Sequence, residues 1–186
     1  MSEVRSQHPA LREAVHADAR VTAMNRGERH EFRSRLDAAL QVLRLMLVSD
    51  AFLAQVLYRI KARLQAVGVP LAPYLAHRAA MALAQVSIGD PVVVRPGIYL
   101  LHGQVVIDGF VEIGPGAVIG PFVTIGLRAG DLVGPRIGPN VSIGTGAKLL
   151  GRLRVGEGAS IGANAVVVDD VPAGVTVVGV PARPVT

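Results

Sequence analysis

One histidine stands apart in the second half of this chain. His102 is the only histidine after residue 77 in a sequence of 186 residues that contains five. An imidazole changes its charge near neutral pH, so it can take a proton from a hydroxyl group or bind a metal ion. The chain contains no cysteine, which excludes disulfide bonds and thiol chemistry. His102 is therefore the first candidate for a catalytic residue.

The distribution of glycine divides the chain into two parts. Residues 1–86 contain only Gly27 and Gly68, and residues 87–186 contain the rest of the 21 glycines. Long helices avoid glycine, whereas tight repeated turns require it. The prediction is an α+β chain with an α-helical region over 1–86 and a repetitive domain over 87–186.

Four helices are predicted in the first part from the spacing of apolar residues and from start and stop signals. Ser49 and Asp50 are good first residues for the third helix, and Gly68 ends it. The expected spans are about 9–24, 28–48, 50–67 and 72–85.

From Ile88 onward the sequence repeats every six residues. An aliphatic residue leads each unit, glycine usually follows it, and the fifth residue is small or β-branched. This period is typical of a solenoid of parallel strands in which three units make one coil. One extra residue lies between the leading residues Leu100 and Ile107, and His102 lies within that stretch. The leading residues are Ile88, Val94, Leu100, Ile107, Ile113, Ile119, Ile125, Ile137, Ile143, Leu149, Val155 and Ile161.

Residues 126–136 interrupt the repeat. Ile125 and Ile137 are two full units apart, so the register is preserved, but the residues between them match the pattern poorly. We expect a loop at about 127–136 that projects from the solenoid. Loops on rigid scaffolds are common places for functional residues.

The charge pattern argues against a nucleic-acid or membrane partner. The net charge of +5 lies in residues 1–86, which hold 12 of the 19 Lys and Arg residues and seven of the 14 acids. Arginines there alternate with acidic and apolar residues, which is typical of a solvated helical face. No uncharged stretch reaches the roughly 18 residues of a membrane span, and residues 1–8 lack the apolar core of a secretion signal. We expect a cytoplasmic protein.

Several segments of the second part resemble the serine acetyltransferases, a branch of the hexapeptide-repeat acyltransferases. They are His102-Gly-Gln-Val-Val-Ile, Val123-Thr-Ile-Gly, Ile143-Gly-Thr-Gly-Ala-Lys-Leu-Leu-Gly, Ile161-Gly-Ala-Asn-Ala-Val-Val and Gly179-Val-Pro-Ala-Arg. The likeness covers about residues 87–185 and implies a left-handed parallel β-helix, an exception to the usual right-handed crossover. It also implies that 1–86 is an α-helical assembly region, and that the protein is a homotrimer or a dimer of trimers with active sites between neighbouring subunits.

The resemblance implies an acyltransferase that moves an acetyl group from acetyl-CoA to the hydroxyl of serine, a step of cysteine biosynthesis, without a metal. His102 matches the family's general base, which takes the hydroxyl proton during attack on the thioester. Lys148 and Arg183 are expected to meet CoA phosphates. The implied contacts to acetyl-CoA are Gly126, Thr145, Lys148, Ala163 and Arg183.

The acceptor side departs from the family pattern. Leu101 stands where the family has an aspartate directly before the base, and Val133 and Gly134 replace an arginine and a second histidine. Ser87 replaces the aspartate that orients the base, so Asp90 is the candidate substitute. The acceptor is therefore serine or a different hydroxyl or amino compound, such as an amino-acid derivative or an amino sugar.

Two other classes of function compete with this interpretation. A zinc hydrase of the same fold needs three histidines from adjacent coils, and residues 87–186 contain only His102. A degenerate, non-catalytic scaffold is the other alternative, motivated by the missing histidine and aspartates. The family's complex with the sulfhydrylase uses a C-terminal isoleucine, so the ending Val185-Thr186 predicts no such complex here.

Overall fold

The computed structural model describes residues 8–185, and four helices occupy the first part of this range. Residues 1–7, which belong to the predicted helical region, and Thr186 lie outside the described residues. Ser49 caps the third helix by accepting a hydrogen bond from the backbone N–H of Phe52. The helices are α1 Leu11–Asn25, α2 Arg35–Val48, α3 Asp50–Ala66 and α4 Ala72–Ala84.

The second helix begins at Arg35, so the prediction of a start at Glu28 was wrong. The side chain of Ser34 caps α2 by accepting from the backbone N–H of Asp37 at 3.1 Å. The guanidinium of Arg29 binds the Asp37 carboxylate through two hydrogen bonds of 2.6 and 2.7 Å, which lowers the pKa of that carboxyl. These contacts hold the segment before Arg35 in a non-helical conformation.

The residues after Val86 form three sheets, which are the faces of a triangular solenoid. Successive strands visit the sheets in turn, and neighbouring strands within a sheet are parallel except for the last pair. Sheet A contains β1 Val86–Ile88, β4 Val105–Ile107, β7 Thr124–Gly126, β10 Lys148–Leu150 and β13 Val166–Val167. Sheet B contains β2 Val93–Val94, β5 Phe110–Ile113, β8 Val133–Ile137 and β11 Arg154–Val155. Sheet C contains β3 Tyr99–Leu100, β6 Val118–Ile119, β9 Ser142–Ile143, β12 Ser160–Ile161, β14 Thr176–Val178 and β15 Arg183–Pro184.

The core of the solenoid consists of the residues that the six-residue period singles out. Every leading aliphatic named above is at most 4 % exposed, and so are the small fifth residues such as Ala117, Ala147 and Ala165. Register pairs stack like on like, for example Ile107 on Ile125 and Ile125 on Leu149. The fold is the left-handed parallel β-helix of hexapeptide repeats that the sequence predicted.

The interruption after Ile125 is an excursion from one corner of the β-helix. Ile125 lies in sheet A and Ile137 in the next face, sheet B, whereas six residues make the same step elsewhere. The residues between β7 and β8 therefore fold back over the outside. Leu127 and Arg128 lie so close to Gly109 and Gly151 that a Cβ on either glycine would clash with them.

Helix α3 closes the first coil of the β-helix. This coil has no preceding coil, so one row of its backbone carbonyls lacks strand partners. Side-chain donors from α3, between 2 and 5 % exposed, bind these carbonyls. The pairs are Gln55 to Ile98 at 3.1 Å, Tyr58 to Val92 at 2.8 Å, Arg59 to Val94 and to Arg95, and Lys61 to Ile88.

The backbone N–H groups of the same coil are bound by Asp18 of α1. Its carboxylate accepts from Gly97 at 2.8 Å and from Ile98 at 3.2 Å, and it forms a buried ion pair with Arg59 at 2.9 Å. Because buried polar groups must be hydrogen-bonded, this layer of side chains replaces the missing coil. Two helices are thereby tied to the β-helix through the same end.

No single helix among residues 8–185 is long and apolar enough to cross a membrane. Helices α2 and α3 pass that test only as a pair, and they are bent by 118° where they meet.

Replacing Tyr58 by phenylalanine tests the closure of the first coil. The Tyr58 hydroxyl donates to the Val92 carbonyl and accepts from the Val94 N–H at 3.2 Å, so its loss leaves two buried backbone groups without partners. We expect Tyr58→Phe to lower the free energy of unfolding by about 1–3 kcal/mol in urea titrations. Tyr74→Phe, at an exposed position on α4, is the control and should change it by less than about 0.5 kcal/mol. Equal effects of the two variants would contradict the closing role.

Candidate active site

His102 lies at a corner of the first coil, where the chain passes from sheet C to sheet A. The extra residue between Leu100 and Ile107 widens this corner relative to the corners above it. The imidazole is exposed, and among residues 8–185 it makes no hydrogen bond. Both ring nitrogens therefore remain available to a ligand, as a general base requires.

The backbone next to His102 is fixed by the end of α4. The Gln104 N–H donates to the Ala84 carbonyl at 3.2 Å. A Cβ on Gly103 would lie 1.8 Å from that same oxygen, so only glycine allows the helix end to approach this closely. The helical region thus sets the position of the candidate base.

The structure does not bring Asp90 to His102. Val86–Ile88 pairs in register with Val105–Ile107, and Asp90 follows one end of this pair while His102 precedes the other. The strands alone separate the two by about 10 Å. Asp90 instead binds Lys61 at 3.1 Å, and although burial would raise its pKa, hydrogen bonds from Gln65 and Lys61 lower it.

A different carboxylate, Asp50, lies beside the His102 corner. Its Oδ2 atom is 3.4 Å from the position of a Cβ on Gly103, while Oδ1 accepts from the Ala51 N–H at 2.8 Å. Among the described residues Oδ2 has no hydrogen-bond partner. Asp50 is the first residue of α3. The sequence identified it only as a good helix-start residue and did not predict that it lies beside the His102 corner.

Three of the residues matched to acetyl-CoA contacts lie along the same edge as His102. Thr145 and Ala163 occupy the corner from sheet C to sheet A in the third and fourth coils, and both are exposed. Since coils are about 4.8 Å apart, Thr145 lies roughly 10 Å from the His102 level. Lys148 begins the next strand, where its Nζ binds the carbonyls of Phe122 at 2.6 Å and Gly146 at 3.0 Å.

The other two matched residues lie elsewhere. Gly126 is buried at the far end of sheet A, where its carbonyl accepts from the Gly151 N–H at 2.9 Å. Arg183, in β15, is exposed and binds Asp169 at 3.2 Å. The edge that carries His102 is thus shared by Thr145, Ala163 and Lys148, but not by Gly126.

The segment that departs from the family lines a cleft with several arginines. Val133 and Gly134 share a cleft of about 400 Å³ with Arg136, Arg152 and Arg154. Arg136 and Arg154 are register partners on adjacent strands, while Arg152 binds Asp131 at 3.3 Å. The cleft also contains the carboxylate of Asp170, whose Oδ1 accepts from the Arg154 backbone N–H at 2.7 Å.

Comparison with known proteins agrees with this architecture. Residues 134–169 match the family model described as bacterial transferase hexapeptide (six repeats). No curated protein sequence gives a significant match. Among solved structures, Neisseria gonorrhoeae serine acetyltransferase in complex with serine is similar with a TM-score of 0.79 and 31% identity. The match covers 95% of this chain and 69% of that one.

The chain belongs to the serine acetyltransferase family.

Two further members of the family show the same similarity. The soybean serine acetyltransferase apoenzyme has a TM-score of 0.79 and 32% identity over 97% of this chain and 71% of that one. A serine acetyltransferase in complex with CoA has a TM-score of 0.77 and 27% identity over 98% of this chain and 73% of that one. The protein is therefore an acyltransferase of this family.

Sequence reasoning did not single out Asp50 and Phe122, which lie along the edge that carries His102. Asp50 is distant from His102 in the chain, and only the contact between α3 and the first coil brings them together. Phe122, by contrast, has a signal in the sequence. It is the fourth residue of its repeat unit, a position that is glycine or asparagine in the neighbouring units that begin at Ile113, Ile137, Ile143 and Ile161.

Adding a methyl group at Gly103 tests how the helical region positions His102. Because the Ala84 oxygen occupies the space, Gly103→Ala must shift the corner, at a cost of about 1–3 kcal/mol in unfolding free energy. We also expect a loss of up to about 100-fold in acetyl transfer, since small displacements of a catalytic group are costly. CoA release and urea titration measure the two effects.

The control for this substitution is Gly126→Ala. Its nearest neighbour to a new Cβ is 4.0 Å away, so we expect less than about 1 kcal/mol of destabilisation. A Gly103→Ala variant with unchanged stability and activity would contradict the role of the α4 contact.

Proposed function

We propose that this acyltransferase is an acetyl-CoA-dependent O-acetyltransferase in which His102 is the general base. The observation that carries the proposal is the exposed imidazole, without a hydrogen bond to the described protein, on a corner whose backbone α4 holds in place. Membership in the serine acetyltransferase family supports the reaction class. The relative whose structure contains CoA supports CoA as the carrier of the acyl group.

The reaction assigned to His102 is proton transfer coupled to acyl transfer. The imidazole takes the proton of the acceptor hydroxyl while the hydroxyl oxygen attacks the thioester carbonyl carbon. The tetrahedral intermediate then collapses, the carbon–sulfur bond breaks, and the imidazolium returns the proton to the CoA sulfur. Backbone N–H groups at the glycine-rich corner would stabilise the transient oxyanion.

The donor would lie along the corner shared by His102, Thr145 and Ala163. In the third and fourth coils this edge presents the small exposed residues Thr145 and Ala163, which leaves room for an extended pantetheine arm. Lys148 belongs to the same edge, but its ammonium is held by two carbonyls, so its expected role is to support the corner as well as to attract phosphate. Arg183 and Gly126 remain predicted contacts.

Serine is the first acceptor to test, because relatives bind it and it fits a role in cysteine biosynthesis in the cytoplasm. A different hydroxyl or amino acceptor is the alternative, since Leu101, Val133 and Gly134 replace acceptor-side groups of the family. The cleft with Arg136 and Arg154 lies at the other end of sheet A from His102, so it would bind a carboxylate or phosphate group of the acceptor only by facing the His102 corner of a neighbouring subunit.

A homotrimer, or a dimer of trimers, is the proposed assembly. Helix α2 presents a stripe of leucines that are 54–79 % exposed, namely Leu36, Leu40, Leu43 and Leu47. Exposed apolar patches of this kind mark contacts between proteins. Their position on the helical region supports pairing of trimers through α2, and the trimer itself is the assembly that the family resemblance implies.

Replacing His102 by glutamine tests the proposed base. We expect kcat/KM for acetyl transfer to L-serine, followed as CoA release, to fall by about 10²–10⁴-fold. Acetyl-CoA should still raise the Tm of the variant, because binding does not require the base. Unchanged turnover in His102→Gln would contradict the proposal. If the wild-type protein turns over only with other acceptors, serine would be the wrong substrate, but the proposed mechanism would stand.

The same assay distinguishes the two carboxylates near the first coil. If Asp50 orients the base, Asp50→Asn should lower kcat about tenfold or more while the KM for acetyl-CoA stays unchanged. Asp90→Asn, whose partner is Lys61, should act on stability and not on kcat. The reverse result would restore Asp90 as the orienting group.

Light scattering tests the proposed assembly. The wild-type particle should have three or six times the mass of one chain. If α2 joins two trimers, Leu40→Glu combined with Leu47→Glu should halve the mass of a six-chain particle, because charges replace buried apolar contacts. The matched control is Glu31→Gln, outside the stripe, which should leave the mass unchanged. A single-chain wild-type particle would contradict the assembly.

A further inference from the structure

Phe122 has a backbone conformation that is costly for a bulky residue. Its φ is 60°, in the left-handed region, and its side chain is 54 % exposed. A large aromatic residue with positive φ is an outlier in proteins, because its Cβ crowds the adjacent carbonyl oxygen. Burial of the ring does not compensate for this, since half of it faces solvent.

Equivalent positions in the other repeat units avoid this strain. In the units that begin at Ile113, Ile137, Ile143 and Ile161 the fourth residue is Gly116, Asn140, Gly146 or Asn164, with positive φ between 55° and 76°. In the units that begin at Ile107 and Leu149 the positive φ falls instead on the third residue, Gly109 or Gly151. Glycine adopts this conformation without cost and asparagine tolerates it. The solenoid therefore needs a left-handed residue at this place, and at Phe122 it carries an unfavourable one.

A second strained residue lies in the coil below, at the same corner. Gln104 has a φ of 63° and follows His102 by two residues. In the described part of the β-helix, Gln104 and Phe122 are the non-glycine, non-asparagine residues with positive φ. Both lie in the first two coils beside the candidate base, and backbone strain of this kind is concentrated at functional sites.

The backbone of Phe122 is also bound by a lysine side chain from the next coil. Lys148 Nζ donates to the Phe122 carbonyl at 2.6 Å and to the Gly146 carbonyl at 3.0 Å. These two hydrogen bonds link the second coil to the third at the corner between sheets C and A. Lys148 therefore stabilises the backbone of Phe122 in its strained conformation.

We propose that Phe122 is a specificity-determining residue whose ring limits the length of the transferred acyl group. This inference rests on the proposed function, because it takes the donor to lie along the edge from Ala163 and Thr145 toward His102. The second coil lies between Thr145 and the base, about 4.8 Å from each neighbouring coil. An acyl carbon held beside His102 would therefore lie one coil, about 4.8 Å, from the corner that carries Phe122.

The ring is expected to act in two ways. It covers one side of a two-carbon acetyl group and removes water from the thioester carbon. Each further methylene would have to occupy the volume of the ring, and a fixed backbone cannot move to admit it. The enzyme should therefore prefer acetyl-CoA to longer acyl-CoA thioesters, and this preference should depend on Phe122.

Replacing Phe122 by asparagine, the residue of two equivalent corners, tests the proposal. We expect the Tm to rise by about 2 °C or more, because the strain is removed. We expect kcat/KM for acetyl-CoA to fall about tenfold. The ratio of kcat/KM for butyryl-CoA to that for acetyl-CoA should rise at least tenfold, with hexanoyl-CoA following the same trend. Gain of stability with loss of selectivity is a combination that a purely structural residue does not produce.

The reciprocal control is Asn140→Phe, which places a phenylalanine at a different corner whose backbone has the same left-handed conformation. It should lower the Tm and leave acyl selectivity unchanged. A Phe122→Asn variant with wild-type selectivity would overturn the proposal. So would dissociation of its particles in light scattering, since the ring would then belong to a contact between copies of the chain.

The outcome for His102→Gln separates this inference from the proposed function. If His102→Gln removes acetyl transfer and Phe122→Asn leaves selectivity unchanged, only the inference about Phe122 fails. If His102→Gln retains full activity, the proposed base fails. A selectivity change in Phe122→Asn would then still place the acyl group at this corner.

Discussion

The open end of the β-helix is the constraint on which the arrangement of this molecule depends. Each inner coil satisfies its backbone groups by pairing with the coils on either side, but the first coil has no neighbouring coil on one side. Helix α3 supplies donors from Gln55 to Lys61, and Asp18 of α1 supplies the matching acceptor. Removing one partner of the buried Arg59–Asp18 pair would cost about 3–5 kcal/mol.

This closure also builds the candidate active site. Because α3 and α4 must pack against the first coil, Ala84 reaches Gly103 and Asp50 reaches the same corner. The candidate base is thus located in the first coil, against which the helical region packs. A β-helix without these helices would leave the His102 corner with neither a fixed backbone nor a nearby carboxylate.

The β-helix combines regular repeat units with a few positions that depart from the repeat. The repeat produces a straight edge of stacked corners, which suits an extended donor such as CoA. The departures from the repeat are the extra residue near His102, the excursion at 127–132, and Phe122 at a position for glycine or asparagine. Each departure lies where a regular solenoid would present only small, uniform residues. On the acceptor side the family's groups are absent, and arginines from sheet B are present instead.

The sequence alone determined the β-helix, its core and its candidate base. A period of six predicts which side chains are buried regardless of what surrounds the solenoid, because each coil repeats the environment of the last. The start of α2 was predicted wrongly since the Arg29–Asp37 interaction competes with helix formation there. Only the tertiary structure decided that Asp50 and not Asp90 lies near His102. That choice depends on how α3 closes the first coil, and contacts between residues so distant in the chain leave no periodic trace in the sequence.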